Sequence, residues 1–108
     1  MSEVSLYFCT CPDSDSAERL ATALLERQLA ACVNLLPGIR SLYRWQGNIE
    51  RGEEVLLLIK SRAALLADLG AALRELHPYE LPELIAVKVD SGLPAYLDWV
   101  LAETAQPH

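Results

Sequence analysis

The sequence lacks most of the devices by which small proteins do chemistry. It has no CxxC pair and no HxxxH spacing, so no closed zinc site can be read from spacing alone. It has no glycine-rich phosphate loop and no nucleophile elbow. Positive charge is scarce: nine Lys and Arg stand against fifteen Asp and Glu, a formal charge of −6. A phosphate backbone needs a basic patch, so this balance argues against a nucleic-acid partner. Long apolar runs are missing too. The longest, VLLLI at 55–59, is strand-sized and far short of the roughly 20 residues of a membrane span. The first residues, MSEVSLYF, lack the basic region and apolar stretch of a secretory leader, so none is expected. Three cysteines cannot all pair within one chain, and a reduced, cytoplasmic protein is the simplest expectation. There is neither an internal repeat nor a low-complexity segment.

What is present is apolar. The 108 residues suffice for a single domain spanning 1–108. A chain of this size hides only about two-thirds of the surface its unfolded form exposes. Yet 52% of its residues are hydrophobic, more than one small core requires, and self-association is the expected outlet.

The pattern along the chain is β-α-β-β-α-β plus a terminal helix. Residues 3–9 alternate, with Val4, Leu6 and Phe8 forming a strongly apolar face and Ser5, Tyr7 and Cys9 the other; Pro12 ends the strand. An amphipathic helix follows, with Asp13, Ser14 and Asp15 as candidate caps, Asp15 and Glu18 as a capping box, and a stripe of Ala17, Leu20, Ala21, Leu24 and Leu25. CVNLL is a strand, Pro37-Gly38 forces a bend or bulge, and IRSLYRWQGNI resumes the strand. A turn is expected within NIERGEE, and EVLLLIKS returns to complete a long hairpin. VLLLI shows no polar alternation, so both its faces should be covered. Ser61 is a candidate cap for a second helix with a stripe of Leu65, Leu66, Leu69, Leu73 and Leu76, ended by His77-Pro78. LIAVKV at 84–89 is the fourth strand, and Pro94 opens a short helix with Leu93, Tyr96, Leu97 and Val100 on one side. This order predicts an α+β, ferredoxin-like antiparallel sheet with helices on one face.

Soft metal donors are the main chemical resource: Cys9, Cys11, Cys32, His77, His108 and Met1. Thiolate and imidazole suit copper and zinc. Cys9-Thr10-Cys11 puts two sulfurs on one face if the strand persists that far; taken alone, each thiol also reads as a small buried hydrophobe. His77 reads equally as a cap at a helix C-terminus or as a ligand. Tyr43 and Trp45 share a strand face that suits packing, without the basic residues and aromatic signature of an RNA-binding sheet. Glu80 and Glu83 flank Pro82 as loop carboxylates. A cysteine hydrolase activated by His77 is a third, lower-ranked reading.

Three stretches together are specific: LAACVNLLPGIRSLYRWQGNIE at 29–50, EEVLLLIKS at 53–61 and LHPYELPELIAV at 76–87. With TCPD at 10–13 and YLDWV at 96–100, they resemble the CutA family of divalent-cation tolerance proteins over nearly the whole chain. The resemblance implies a cytoplasmic, ferredoxin-like homotrimer similar in assembly to PII signalling proteins, with no established catalysis. It also implies copper as an optional rather than obligatory ligand, held by Cys9 and His77. The family's site can include a second histidine just before the first, where this chain has Leu76; Cys11 is then the candidate substitute and Cys32 a secondary one. Tyr79, Glu80 and Glu83 are expected to line a cleft near a subunit boundary. A PII-like module binding a small anionic metabolite or partner protein is the alternative, with Arg40, Arg44 and Lys60 as its cations.

Overall fold

The computed structural model describes residues 2–105; Met1 and His108, two of the soft donors named above, lie outside them. The strands are β1 (Val4–Cys11), β2 (Cys32–Trp45), β3 (Asn48–Arg62) and β4 (Ile85–Lys88), and the helices are α1 (Ser14–Glu26), α2 (Leu66–Leu76) and α3 (Pro94–Glu103). One sheet in the order β2-β3-β1-β4, with every neighbouring pair antiparallel, joins them. This is the ferredoxin-like arrangement that the element order predicts.

The helices settle which face of the sheet is the core. Tyr7, Cys9 and Cys11 from β1 and Val55, Leu57 and Ile59 from β3 are buried in one cluster with Ala17, Leu20 and Leu24 of α1 and Leu69 and Leu73 of α2. The apolar set of β1 that looks more core-like, Leu6 and Phe8, therefore faces the other side and is only partly buried. Alternation alone ranks the two faces by hydrophobicity. The helices, however, pack on the face whose tyrosine and cysteines lie level with the β3 core residues. The opposite face is met at one end by α3. Arg62 there donates from Nη2 to the Leu101 carbonyl at 2.8 Å, and the Lys60 ammonium lies 5.9 Å from the Tyr96 ring centroid.

Several local expectations need correction. Asp13 caps α1, its Oδ1 accepting from the Ser16 N–H at 2.8 Å, and Leu25 is exposed rather than part of the buried stripe. Ser61 is no helix cap. It lies within β3, next to its last residue and fully buried, and donates to the Leu29 carbonyl at 2.6 Å, while a 3-10 turn over Ala63–Leu65 leads into α2. Leu66 and Leu76 also leave the α2 stripe for solvent. In α3 only Val100 is buried.

The hairpin turn sits at Gln46-Gly47, earlier than NIERGEE. Both residues have positive φ, 49° and 83°, as a two-residue hairpin turn with matching strand twist requires. Glutamine is not the usual first residue of such a turn, which hides it in the sequence. The bulge falls at Pro37-Gly38, where the β2–β3 register shifts between Leu36 and Ile39 and Gly38 has φ of 76°. β1 pairs with β3 only from Val55 to Arg62, so residues 39–54 project beyond the sheet, paired only with each other. The radius of gyration is 14.4 Å, against roughly 13 Å for a compact chain of this length, and the long axis is 44 Å.

Candidate metal centre

β1 runs unbroken through Thr10 to Cys11, so Cys9 and Cys11 project from the same face into the core. His77 reaches them from the end of α2. Its backbone closes the helix by donating to the Leu73 carbonyl at 2.8 Å, and its φ,ψ of −78°, 139° turn the chain out of the helix before Pro78. The imidazole does not cap the helix, contrary to one of its sequence readings. It crosses to β1, where Nε2 lies 2.7 Å from the Thr10 carbonyl and 3.7 Å from Cys11 Sγ. The ligand atoms of Cys9, Cys11 and His77 all lie within 4.8 Å of one another, and all three residues are buried. Cys32, the secondary candidate, is elsewhere. It stands opposite Lys60, on the face that Leu6 and Leu58 share, with Lys60 Nζ 4.0 Å from its sulfur.

The hydrogen bonds define the imidazole's proton. The Tyr79 N–H donates to Nδ1 at 3.0 Å, so the lone pair is on Nδ1. The ring proton is therefore on Nε2, donating to Thr10 O. The sulfurs interact as well. The Cys9 thiol makes a long contact to the Thr10 carbonyl at 3.8 Å; the neighbouring Cys11 thiol, then burial and the carboxylates of Glu83 and Glu54, push it well above its ordinary range. The Cys9 thiol beside it lowers Cys11 despite its burial. Cys11 is thus the thiol that ionises first.

A cleft of about 730 Å³ adjoins the cluster, between the hairpin and the loop after α2. Tyr79, Glu80 and Glu83 line it with Thr10, Trp45 and Glu54. Tyr79 bridges the two walls, its hydroxyl donating to Glu54 Oε2 at 2.7 Å; burial, and then this bond, push its phenol up. Of the three cations considered for an anionic ligand, only Arg40 lines the cleft, among three carboxylates. Lys60 lies roughly 13 Å along β3 from the nearest lining position, Thr10, which pairs with Leu56. Glu54 and the Thr10 carbonyl were not singled out in the sequence. Both are brought in by pairings distant in the chain, and no local signal marks them.

Comparison with known proteins agrees with this architecture. The profile of the family described as "CutA1 divalent ion tolerance protein" matches residues 5–103. The chain belongs to the CutA1 family. It is 48% identical over 97 residues to the mouse Protein CutA, covering 90% of this chain and 55% of the mouse protein. It is 46% identical over 102 residues to the divalent-cation tolerance protein CutA of Pectobacterium atrosepticum, covering 94% of this chain and 93% of that one. The crystal structure of CutA from Xylella fastidiosa superposes with a TM-score of 0.93 at 51% identity, covering 96% of this chain and all of that chain. The chain thus spans just over half of the mouse CutA and nearly all of the bacterial ones. No helix among the described residues is long and apolar enough to cross a membrane.

Proposed function

We propose that this CutA1 protein binds a soft cation, copper or another thiophilic divalent ion, through Cys9, Cys11 and His77, and that it buffers or senses the metal. The observation that carries the reading is the closeness of two buried sulfurs and one imidazole, all within 4.8 Å. Ligands around a tetrahedral metal with ordinary metal–sulfur and metal–nitrogen bonds stand roughly 3.5–3.8 Å apart, so small side-chain adjustments complete the set. Cys11 takes the place of the second histidine that Leu76 does not supply. The field of Glu54 and Glu83, which opposes ionisation of Cys9, favours a bound cation. A cytoplasmic, reducing setting keeps both thiols available.

Catalysis forms no part of the proposal. A cysteine hydrolase needs a base facing its thiol, whereas the His77 nitrogen nearest Cys11 carries the ring proton and its lone pair faces the Tyr79 amide.

The working form is a homotrimer. Leu36, Ile85 and Val87 are exposed on the sheet face opposite α1 and α2, and Leu42 and Ile49 on the projecting hairpin are 63% and 68% exposed. An apolar surface of that extent calls for a partner, and a ring of three copies covers it by setting the projecting hairpin of one chain against the open sheet face of the next. Size-exclusion chromatography with light scattering tests this; a stable monomer at micromolar concentration contradicts it. Titration of copper into the reduced protein, in competition with a chelator of known affinity, tests the site. One ion per chain, lost in Cys11→Ser and His77→Ala, is expected; equal binding in the variants overturns it.

A further inference from the structure

We propose that capture of a metal ion by His77 breaks the hydrogen bond from the Tyr79 N–H to the imidazole, and thereby couples occupancy of the thiol cluster to the cleft between the 77–84 loop and the hairpin. The inference rests on the metal-binding reading above and concerns how that site is regulated.

An imidazole ligates a metal through a lone pair, and a neutral imidazole has one. In this structure that lone pair is on Nδ1 and is taken by the Tyr79 N–H at 3.0 Å. Nε2 carries the proton and gives it to the Thr10 carbonyl at 2.7 Å. Two routes lead to a metal-bound ring. If the metal bonds to Nδ1, it displaces the Tyr79 N–H directly. If it bonds to Nε2, the ring proton moves by way of solvent to Nδ1, where it meets the Tyr79 N–H donor to donor. The imidazole loses no net proton on either route, and each thiol that ligates releases one. Both routes end with the Tyr79 amide expelled from the ring.

Tyr79 is not free to follow without consequence. Its ring packs against the imidazole at 4.9 Å between centroids. Its hydroxyl is held by Glu54 at 2.7 Å, and Glu54 stands opposite Ile39 where the hairpin leaves the sheet. Pro78 stiffens the link between His77 and Tyr79. Displacing the amide therefore works against the Tyr79–Glu54 bridge that spans the cleft. By linkage, whatever holds Tyr79 in place opposes metal, and metal loosens the bridge to the same extent. The buried cluster and the open cleft become two ends of one device, with His77 and Tyr79 as the joint.

The test uses cadmium as the probe on the full, reduced chain, because its thiolate charge-transfer band reports sulfur ligation independently of histidine. The Tyr79 amide is followed in parallel by NMR chemical shift and hydrogen exchange. The expected result is a band that saturates while the Tyr79 amide shifts in step and exchanges faster. Tyr79→Phe, which keeps the amide and the ring but removes the bridge, is expected to bind about five- to tenfold tighter. In His77→Ala the Tyr79 amide no longer responds to cadmium. A band that saturates with an unmoved Tyr79 amide and an unchanged Tyr79→Phe affinity overturns the coupling and leaves the metal site standing. Absence of the band overturns the metal-binding reading, and the coupling with it.

Discussion

Two polar groupings lie next to each other on the core side of β1, and they are built on opposite plans. In the first, every polar hydrogen goes to a backbone carbonyl. The Tyr7 hydroxyl, fully buried, reaches the Arg62 carbonyl at 2.6 Å and the Ala63 carbonyl at 3.2 Å, and Ser61 reaches that of Leu29 at 2.6 Å. These bonds tie the end of β3 to β1 and to the segment entering β2. In the second grouping, two residues along, Cys9, Cys11 and His77 turn their polar atoms toward one another, and only the imidazole makes short bonds to the backbone. Tyrosine and serine demand directed partners when buried. Thiols do not, because sulfur packs as a small hydrophobe and is a weak donor. The fold can therefore bury the second grouping at little cost and leave its sulfurs available to a cation, while the first serves only stability.

The contrast breaks most visibly at Tyr7. Tyr7→Ala removes a fully buried ring together with its hydroxyl and is expected to cost about 3–5 kcal/mol, read from the denaturant midpoint. Copper stoichiometry under folding conditions should stay the same. If it falls, the two groupings are not separate. Cys11→Ser is the reciprocal change. It should lower copper affinity by about a hundredfold or more while moving the denaturant midpoint less than Tyr7→Ala does. A variant that keeps its affinity removes Cys11 from the site.

Tyr7→Phe sharpens the comparison. It deletes one hydroxyl and its bonds to the Arg62 and Ala63 carbonyls, for an expected loss of about 0.5–1.5 kcal/mol and no change in copper affinity. Titration with pH separates the groupings by sign. Cys9 and Tyr7 both have pKa values pushed above the ordinary thiol and phenol ranges by their surroundings. Their protonated forms thus favour the fold. That stability is fully present below the unfolded values, near pH 8.5 for a thiol and about 10 for a phenol, and is lost as pH rises beyond them. The lowered Cys11 works in the opposite direction and offsets part of the loss. The metal-free protein should accordingly weaken above about pH 9, by up to about 1.4 kcal/mol per pH unit for each such group. Copper affinity should rise over the same range, because the metal must displace the proton that Cys9 holds. A metal-free midpoint flat from pH 8 to 10.5 would contradict the burial argument.

Much of the fold is legible in the sequence because its signals are local. Pro37-Gly38 carries the chemistry of a bulge, His77-Pro78 that of a helix stop, and VLLLI that of a strand with two faces to cover. The orientation of β1 is not legible, since Leu6 and Phe8 outrank Tyr7 and Cys9 in hydrophobicity, and only the positions of α1 and α2 decide between the two faces. The turn at Gln46-Gly47 is obscured by a glutamine in the left-handed region. At the candidate metal centre, the sequence supplies the donor types and the strand parity that unites Cys9 with Cys11. It cannot supply the crossing of His77 to Thr10, or the bridge from Tyr79 to Glu54, which depend on residues more than 20 positions apart. Cys32 shows the converse: its residue type recommends it, and the register opposite Lys60 removes it.

The most direct test of the account is X-ray absorption at the zinc edge of the reduced protein loaded with one zinc per chain, zinc being chosen because it does not oxidise thiols. The account predicts two sulfurs at about 2.3 Å and one imidazole nitrogen at about 2.0 Å, with the nitrogen lost in His77→Ala. A first shell of oxygen and nitrogen alone, unchanged in Cys11→Ser, would place the metal elsewhere and contradict it.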